Sequence, residues 1–361
     1  MSKRPADLVR PEILAAQAYH VAPAQGMVKL DAMENPYPLP AKLAGEMAAR
    51  LARVAINRYP DPSYTLLKQR LREALAIPAG LDLVLGNGSD EIILMLSMAL
   101  ARPDAVTLAP EPSFVMYRVS AVAAGMRFVG VPLREDFTLD EARFLAAIEE
   151  HRPALTWLAY PNNPTGNLFP REAILRIVAA SPGLVVADEA YFPFSGGASM
   201  ASEVGKHPNL VLVRTVSKLG LAGLRLGLAA GPADWMAELE KVRPPYNINV
   251  LTAAAAEFLL GHHALFEEQA RALVAERAVL ERGLDAIARV RRFPSAANFV
   301  LARVPDAPKA FDALKSRGIL VKNLHGSHPL LANCLRLTVG TSDENAKLLE
   351  ALSSILGPQN A

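Results

Sequence analysis

Leu184-Val185-Val186-Ala187-Asp188-Glu189-Ala190-Tyr191 opens with a short run, Leu184–Asp188, whose apolar residues give way abruptly to two acids. Its unbroken apolar character suits a strand buried on both faces, because a half-solvated strand would alternate polar and apolar positions. Similar runs lie on either side of it: Ala105–Ala109, Thr156–Tyr160 and Leu210–Thr215. From about Ala41 onward they alternate with stretches of helical spacing, Lys42–Ile56, Ser63–Leu75 and Ser89–Leu100. Short buried strands joined by helices predict an α/β domain with a mostly parallel sheet and right-handed crossovers. Ligands of such sheets sit beyond the carboxyl ends of the strands, which is where Asp188 falls.

The alternation fades after Pro245. A helical region rich in Ala, Leu, Glu and Arg runs from Leu251 to about Ala288. The tail then mixes strands (Phe299–Val304, Cys334–Val339) with helices (Pro308–Arg317, Asp343–Ile355). The first forty residues are rich in turn formers, among them Pro23, Gly26, Asn35, Pro36, Pro38 and Pro40. The expected organisation is an extended arm over 1–40, a large α/β domain over 41–250 and a small α+β domain over 251–361. A chain of 361 residues is longer than one core usually serves.

With 38 basic and 36 acidic residues, the net charge of +2 is too even for a nucleic-acid or membrane-surface binder. Val250–Leu260 is apolar but too short for a membrane span. Met1 to Gln17 has no apolar core before a small-residue cleavage site, so a secretory signal is not expected. Cys334 is the sole cysteine, which excludes an intramolecular disulfide and fits a reducing compartment. A cytoplasmic protein acting on small molecules is the expectation.

Four polar clusters follow apolar runs. Gly86-Asn87-Gly88-Ser89-Asp90-Glu91 opens the helix Ser89–Leu100, where free amides and the helix dipole favour an anion. By itself this is equally an ordinary helix start with Ser89 as N-cap. Pro161-Asn162-Asn163-Pro164-Thr165-Gly166 suits a rigid turn. Asp188 could serve as a base, a metal ligand or a partner for a buried cation. No His, Cys or second Asp lies at ligand spacing around it, so a metal is not expected. Ser217-Lys218 ends the run Leu210–Thr215, with Arg225 shortly after. Burial and neighbouring cations both depress a lysine pKa, as Schiff-base chemistry requires.

In this order the clusters resemble the fold-type I pyridoxal-phosphate aminotransferases, and the resemblance covers nearly the whole chain. It implies pyridoxal 5'-phosphate as cofactor, carried by Lys218 as a Schiff base, with Lys218 also moving the substrate proton. It implies Asp188 against the ring nitrogen, and Asn163 and Tyr191 on the ring's phenolic oxygen. Ser89, Asp90, Thr215, Ser217 and Arg225 would hold the phosphate. Tyr59, in Asn57-Arg58-Tyr59-Pro60, resembles the family tyrosine that reaches the phosphate of a neighbouring subunit, implying a homodimer with composite sites. Lys218 and Arg225 stand one residue closer than in many members, which leaves the backbone between them open.

Further segments resemble the histidinol-phosphate aminotransferases within that family: Arg10-Pro11, Lys29-Leu30-Asp31, Glu34-Asn35-Pro36, Met116-Tyr117 and Asn333 to Thr341. That likeness implies exchange of an amino group between glutamate and imidazole-acetol phosphate. Arg336 matches the arginine for the substrate carboxylate and would also serve the phosphate. Tyr19 and Tyr117 match residues lining the substrate pocket. Lys322 stands where a further family arginine grips the substrate phosphate, exchanging a planar fork for a point charge. Aromatic amino acids and threonine phosphate remain alternative substrates, the latter by decarboxylation. A non-catalytic regulator is disfavoured because the arm is too short and insufficiently basic for a fused DNA-binding segment. His325 and His328 have metal-like spacing, but without a third ligand nearby they fit a loop beside the site.

Overall fold

The computed structural model describes residues 4–18 and 22–357. In chain order its strands are β1 (Val28–Leu30), β2 (Asp82–Gly86), β3 (Val106–Glu111), β4 (Arg127–Pro132), β5 (Leu155–Ala159), β6 (Leu184–Asp188), β7 (Leu210–Thr215) and β8 (Gly227–Gly231). Four more follow: β9 (Arg291–Arg292), β10 (Phe299–Arg303), β11 (Ile319–Asn323) and β12 (Cys334–Thr338). The large sheet has the order β2-β8-β7-β6-β5-β3-β4. Only β8 runs against its neighbours, and the remaining pairs are parallel. The fold is α/β with a mostly parallel sheet between helices, as the apolar runs require.

β5, β6 and β7 are buried along their whole length because helices cover both faces. Trp157, Val186 and Val213 pack one face against the helices Ser89–Leu100 and Met116–Ala124. Val185, Ala187 and Leu212 pack the other against Thr65–Ala74, Glu141–His151 and Arg171–Ala180. The two-residue period of a strand therefore puts Asp188 and Thr215 on the Trp157 face and Arg214 on the opposite one.

β2, β4 and β8 have no counterpart in the sequence reading. The run Gly227-Leu228-Ala229-Ala230-Gly231 has poor strand propensity, and its place between β2 and β7 makes it a strand. Glycine is needed there: a Cβ on Gly227 would lie 2.6 Å from the Ser89 amide nitrogen. The expected helical region 251–288 is two helices, Val250–Leu260 and His263–Asp285, with the break at Gly261 and His262.

A second sheet, β1-β11-β12-β10-β9, packs against Leu280, Leu284, Leu314, Leu348 and Leu352. Its β1 comes from the stretch read as an extended arm and pairs in parallel with β11. Two one-turn helices, Pro5–Leu8 and Pro11–Leu14, precede it. Among the described residues no helix is long and apolar enough to cross a membrane.

Candidate active site

The carboxyl ends of β6 and β7 open onto a cavity that also receives the start of helix Ser89–Leu100. Ser89, Asp90, Asn163, Asp188, Tyr191, Thr215, Ser217, Lys218 and Arg225 all line it, together with Tyr117. Residues spread over more than one hundred positions thus converge because strand ends and a helix start share one side of the sheet.

Lys218 follows β7 in a tight π turn over Ser217–Leu221, in which Gly220 takes φ 130°. Arg225, ending the short helix Ala222–Leu224, adopts the left-handed φ of 48°. This is the backbone path that closes the shortened Lys218–Arg225 interval. Lys218 Nζ donates to the Ala32 carbonyl at 3.0 Å. Burial depresses its pKa to about 8, helped by the Arg336 and Arg225 charges against the opposing pull of Glu34 and Asp90. A neutral amine is therefore accessible near physiological pH.

Asp188 is almost wholly buried. Tyr117 donates to its Oδ2 at 2.6 Å and the Ala190 amide donates to Oδ1 at 3.1 Å. Burial nonetheless pushes its carboxyl up to about 6, since these two bonds offset only part of the desolvation. Such a carboxylate gains from a cation placed against it. Tyr117, expected in the substrate pocket, lies at the boundary of the site with its hydroxyl committed to Asp188. Its ring stacks on Trp157 at 4.7 Å.

Asn163 joins the cavity to the space above it. Its Nδ2 donates to the Tyr191 hydroxyl at 3.0 Å, and its Oδ1 accepts from Arg336 Nη1 at 2.7 Å. Arg336 Nη2 donates to the Asp31 carbonyl at 2.8 Å. The Asp31–Ala32 segment after β1 therefore holds both Arg336 and Lys218 by backbone carbonyls. Met33, which follows with φ 53°, is pinned by Thr338 Oγ1 and Asn298 Nδ2. Arg336 and Lys322 are register partners on β12 and β11, so both cations project from one face of the small sheet.

The glycine-rich turn forms a cup. Gly88, with φ 81°, is the N-cap and Ser89 the first helical residue, so Ser89 is not the cap that one reading of the sequence made it. A Cβ on Gly88 would lie 2.4 Å from Arg225 Nη2. Arg225 also pairs with Asp90 at 3.1 Å. Thr215 Oγ1 bonds to Ser217 Oγ at 2.9 Å and to the Leu226 carbonyl at 3.0 Å, completing the rim.

On the opposite face of the sheet, Arg214 and Glu189 form a buried ion pair at 2.7 Å. Arg214 also reaches Ser199 Oγ at 2.8 Å and caps the Phe192 ring at 3.6 Å. Each is the chain neighbour of a cavity residue, Thr215 or Asp188, so the pair fastens β6 to β7 beneath the site.

This donor set fits the pyridoxal phosphate that the resemblance implies. The cup has amides at a helix start, hydroxyls and a guanidinium for a phosphate, with glycine where a side chain would intrude. The buried Asp188 suits a protonated ring nitrogen, and the depressed Lys218 suits an aldehyde.

Among the described residues, Tyr59 is not brought to this cavity within one chain. Tyr59 is 79% exposed and stacks on Tyr246 at 4.4 Å. Tyr19 lies outside the described residues. Lys322 lines an adjoining chamber of about 390 Å³, shared with Arg336, Asn163 and Tyr117. Phe114 and Met33 line both spaces and were missed from the sequence. An aromatic three residues before Tyr117 and three after the end of β3 was the available signal for Phe114.

Known proteins resemble this chain over most of its length. The family model described as aminotransferase class I and II matches residues 25–352. The histidinol-phosphate aminotransferase of Chromobacterium violaceum is 59% identical over 345 residues, covering 96% of this chain and 97% of that protein. Histidinol-phosphate aminotransferase 2 of Cupriavidus pinatubonensis is 56% identical, covering 97% and 96%. Among solved structures, the histidinol-phosphate aminotransferase of Sinorhizobium meliloti in complex with pyridoxal-5'-phosphate superposes with a TM-score of 0.85 over 97% of each chain. At 24% identity that last likeness speaks for the fold. A family model spanning most of the chain, and relatives more than half identical over nearly all of it, lead to one conclusion: the chain belongs to the aminotransferase class I and II family.

Proposed function

We propose that this chain is a histidinol-phosphate aminotransferase working with pyridoxal 5'-phosphate. The observation that carries the reading is the Lys322–Arg336 pair, two cations in register beside the cavity that holds Lys218. An amine bearing a phosphate matches that spacing of chemistry, and curated relatives above 50% identity carry this name.

The cofactor, when bound, supplies an electron sink for the pair left as the substrate α-proton departs. Lys218 Nζ, once released from the Ala32 carbonyl, would take that proton and hold it for return. Asp188, held in place by Tyr117 and the Ala190 amide, would face the ring nitrogen as a carboxylate. Asn163 and Tyr191 would donate to the ring's oxygen, while the amides of Ser89 and Asp90, the hydroxyls of Thr215 and Ser217 and the Arg225 guanidinium would cradle the cofactor phosphate. Arg336 accepts the glutamate carboxylate in one half-reaction and shares the substrate phosphate with Lys322 in the other. One guanidinium fork serves both anions in turn.

Tyr59 projects from the surface and completes the phosphate cup of a second copy, so the working form is a homodimer with composite sites in the cytoplasm. Tyr19 and Tyr117 belong to the substrate side. The test is direct. The purified protein with its cofactor bound should convert histidinol phosphate in the presence of 2-oxoglutarate, and no turnover by the loaded protein sinks the reading. Carbon dioxide release from threonine phosphate would favour a decarboxylase in its place.

A further inference from the structure

The two histidines with metal-like spacing do a different job. His325 Nδ1 accepts from the Asn333 amide at 3.1 Å, and His328 Nδ1 accepts from the Leu330 amide at 3.1 Å. Both rings thus splint the loop between β11 and β12, a use that competes with metal ligation at those nitrogens. His325 faces solvent, whereas His328 lines the outer chamber.

Because Nδ1 of His328 accepts a hydrogen bond, the neutral ring carries its proton on Nε2. Burial lowers the pKa of this ring, which favours the neutral form. The rest of the chamber wall near the loop is largely apolar, with Phe114, Phe128, Leu324 and Leu331. Glu111 and Arg118 line the same chamber, close enough for their charges to act on His328, and are tied to each other at 2.7 Å. Gly130 leaves room for that carboxylate, since a Cβ there would lie 1.9 Å from Glu111 Oε2. The chamber therefore has two cations at Lys322 and Arg336, the Arg118–Glu111 pair, and an apolar stretch beside which His328 offers an N–H donor.

We propose that His328 is the specificity-determining residue of the outer chamber, its Nε2–H donating to the acceptor nitrogen of an aromatic heterocycle on the substrate. This rests on the reading of the substrate as histidinol phosphate, whose imidazole offers such a nitrogen. A phosphate belongs with the paired cations, so the ring is left to the wall that bears His328. One hydrogen bond to a fixed, partly buried donor discriminates by roughly tenfold against a ring that lacks the acceptor.

The experiment compares histidinol phosphate with 2-amino-3-phenylpropyl phosphate, which keeps the amine and phosphate but has no ring nitrogen. The parent enzyme should prefer histidinol phosphate by roughly tenfold or more in kcat/KM, chiefly through KM. His328→Leu should bring that ratio close to one. His328→Asn keeps an acceptor for the Leu330 amide but is too short to reach the ring, and it should collapse the ratio as well. A ratio unchanged in both variants, or equal losses on the two substrates, would overturn the assignment while leaving the proposed function standing. Parent enzyme that turns over the phenyl compound and not histidinol phosphate defeats the proposed function and this inference together.

Discussion

Tyr117 donates its phenolic hydrogen to Oδ2 of Asp188 across 2.6 Å, from a ring stacked on Trp157. The bond lowers the Asp188 pKa against the larger effect of burial, which still leaves the carboxyl near 6. The acid is thereby held in one orientation, lining the cavity that Lys218 also lines. That arrangement costs stability and makes several outcomes measurable.

Asp188 has an ordinary pKa of 3.8 and one of about 6 in the fold. Between those values the folded chain binds a proton that the unfolded chain releases. Its contribution is therefore full below pH 3.8 and is lost as pH rises through 6, by about 3 kcal/mol in all. In the cofactor-free protein, Asp188→Asn should raise stability by about 1–2 kcal/mol at pH 8 and little at pH 4.5, while abolishing turnover. Denaturant midpoints at the two pH values check this, and equal shifts at both would refute it.

Tyr117→Phe removes a bond that favours the ionised acid, so the Asp188 pKa should rise further. The acid limb of the kcat/KM profile should move to higher pH, with a loss of roughly threefold to tenfold near neutrality. An unmoved limb would show that the hydroxyl serves only packing.

Lys218, with a pKa of about 8, is about one-tenth neutral at pH 7 and nine-tenths neutral at pH 9. Capture of pyridoxal phosphate by cofactor-free protein should accelerate about ninefold across that interval, read from the absorbance of bound cofactor. Arg336→Gln removes the neighbouring cation and should shift the profile to higher pH. Lys218→Ala should abolish both capture and turnover.

Gly88→Ala places a methyl 2.4 Å from Arg225 Nη2 at a backbone angle few side chains adopt. Arg225 must leave the cup, and cofactor affinity should fall by tenfold or more. Equilibrium dialysis against pyridoxal phosphate measures it, and undiminished affinity would remove Arg225 from the phosphate site.

Mixing Tyr59→Ala and Lys218→Ala chains tests the composite site. Each mixed dimer carries one site with both residues intact, so about one quarter of all sites should recover activity. Mixtures no more active than either parent would place Tyr59 outside the partner's cup.

Some of this was legible without coordinates. Continuous apolar runs identified β6 and β7 with the bounds the structure gives, because a strand buried on both faces leaves no other pattern. Asp188, Lys218 and Arg225 stood out as candidates by their places after those runs, and the family resemblance gave their roles. β8 was not legible, since Gly227–Gly231 becomes a strand only between β2 and β7, and its glycines answer to Ser89 rather than to any local preference.

Lys218 itself marks the division. The sequence alone determined that a lysine ends a buried strand among cations, enough to expect a depressed pKa and a family resemblance. Only the tertiary structure decided what surrounds it: the Ala32 carbonyl on its amine, Arg336 arriving from the small sheet, and the Tyr117 hydroxyl bound to Asp188 in the same cavity. Residue order sets which groups follow each strand. Distances between groups from different strands depend on register and packing, and no local pattern encodes those.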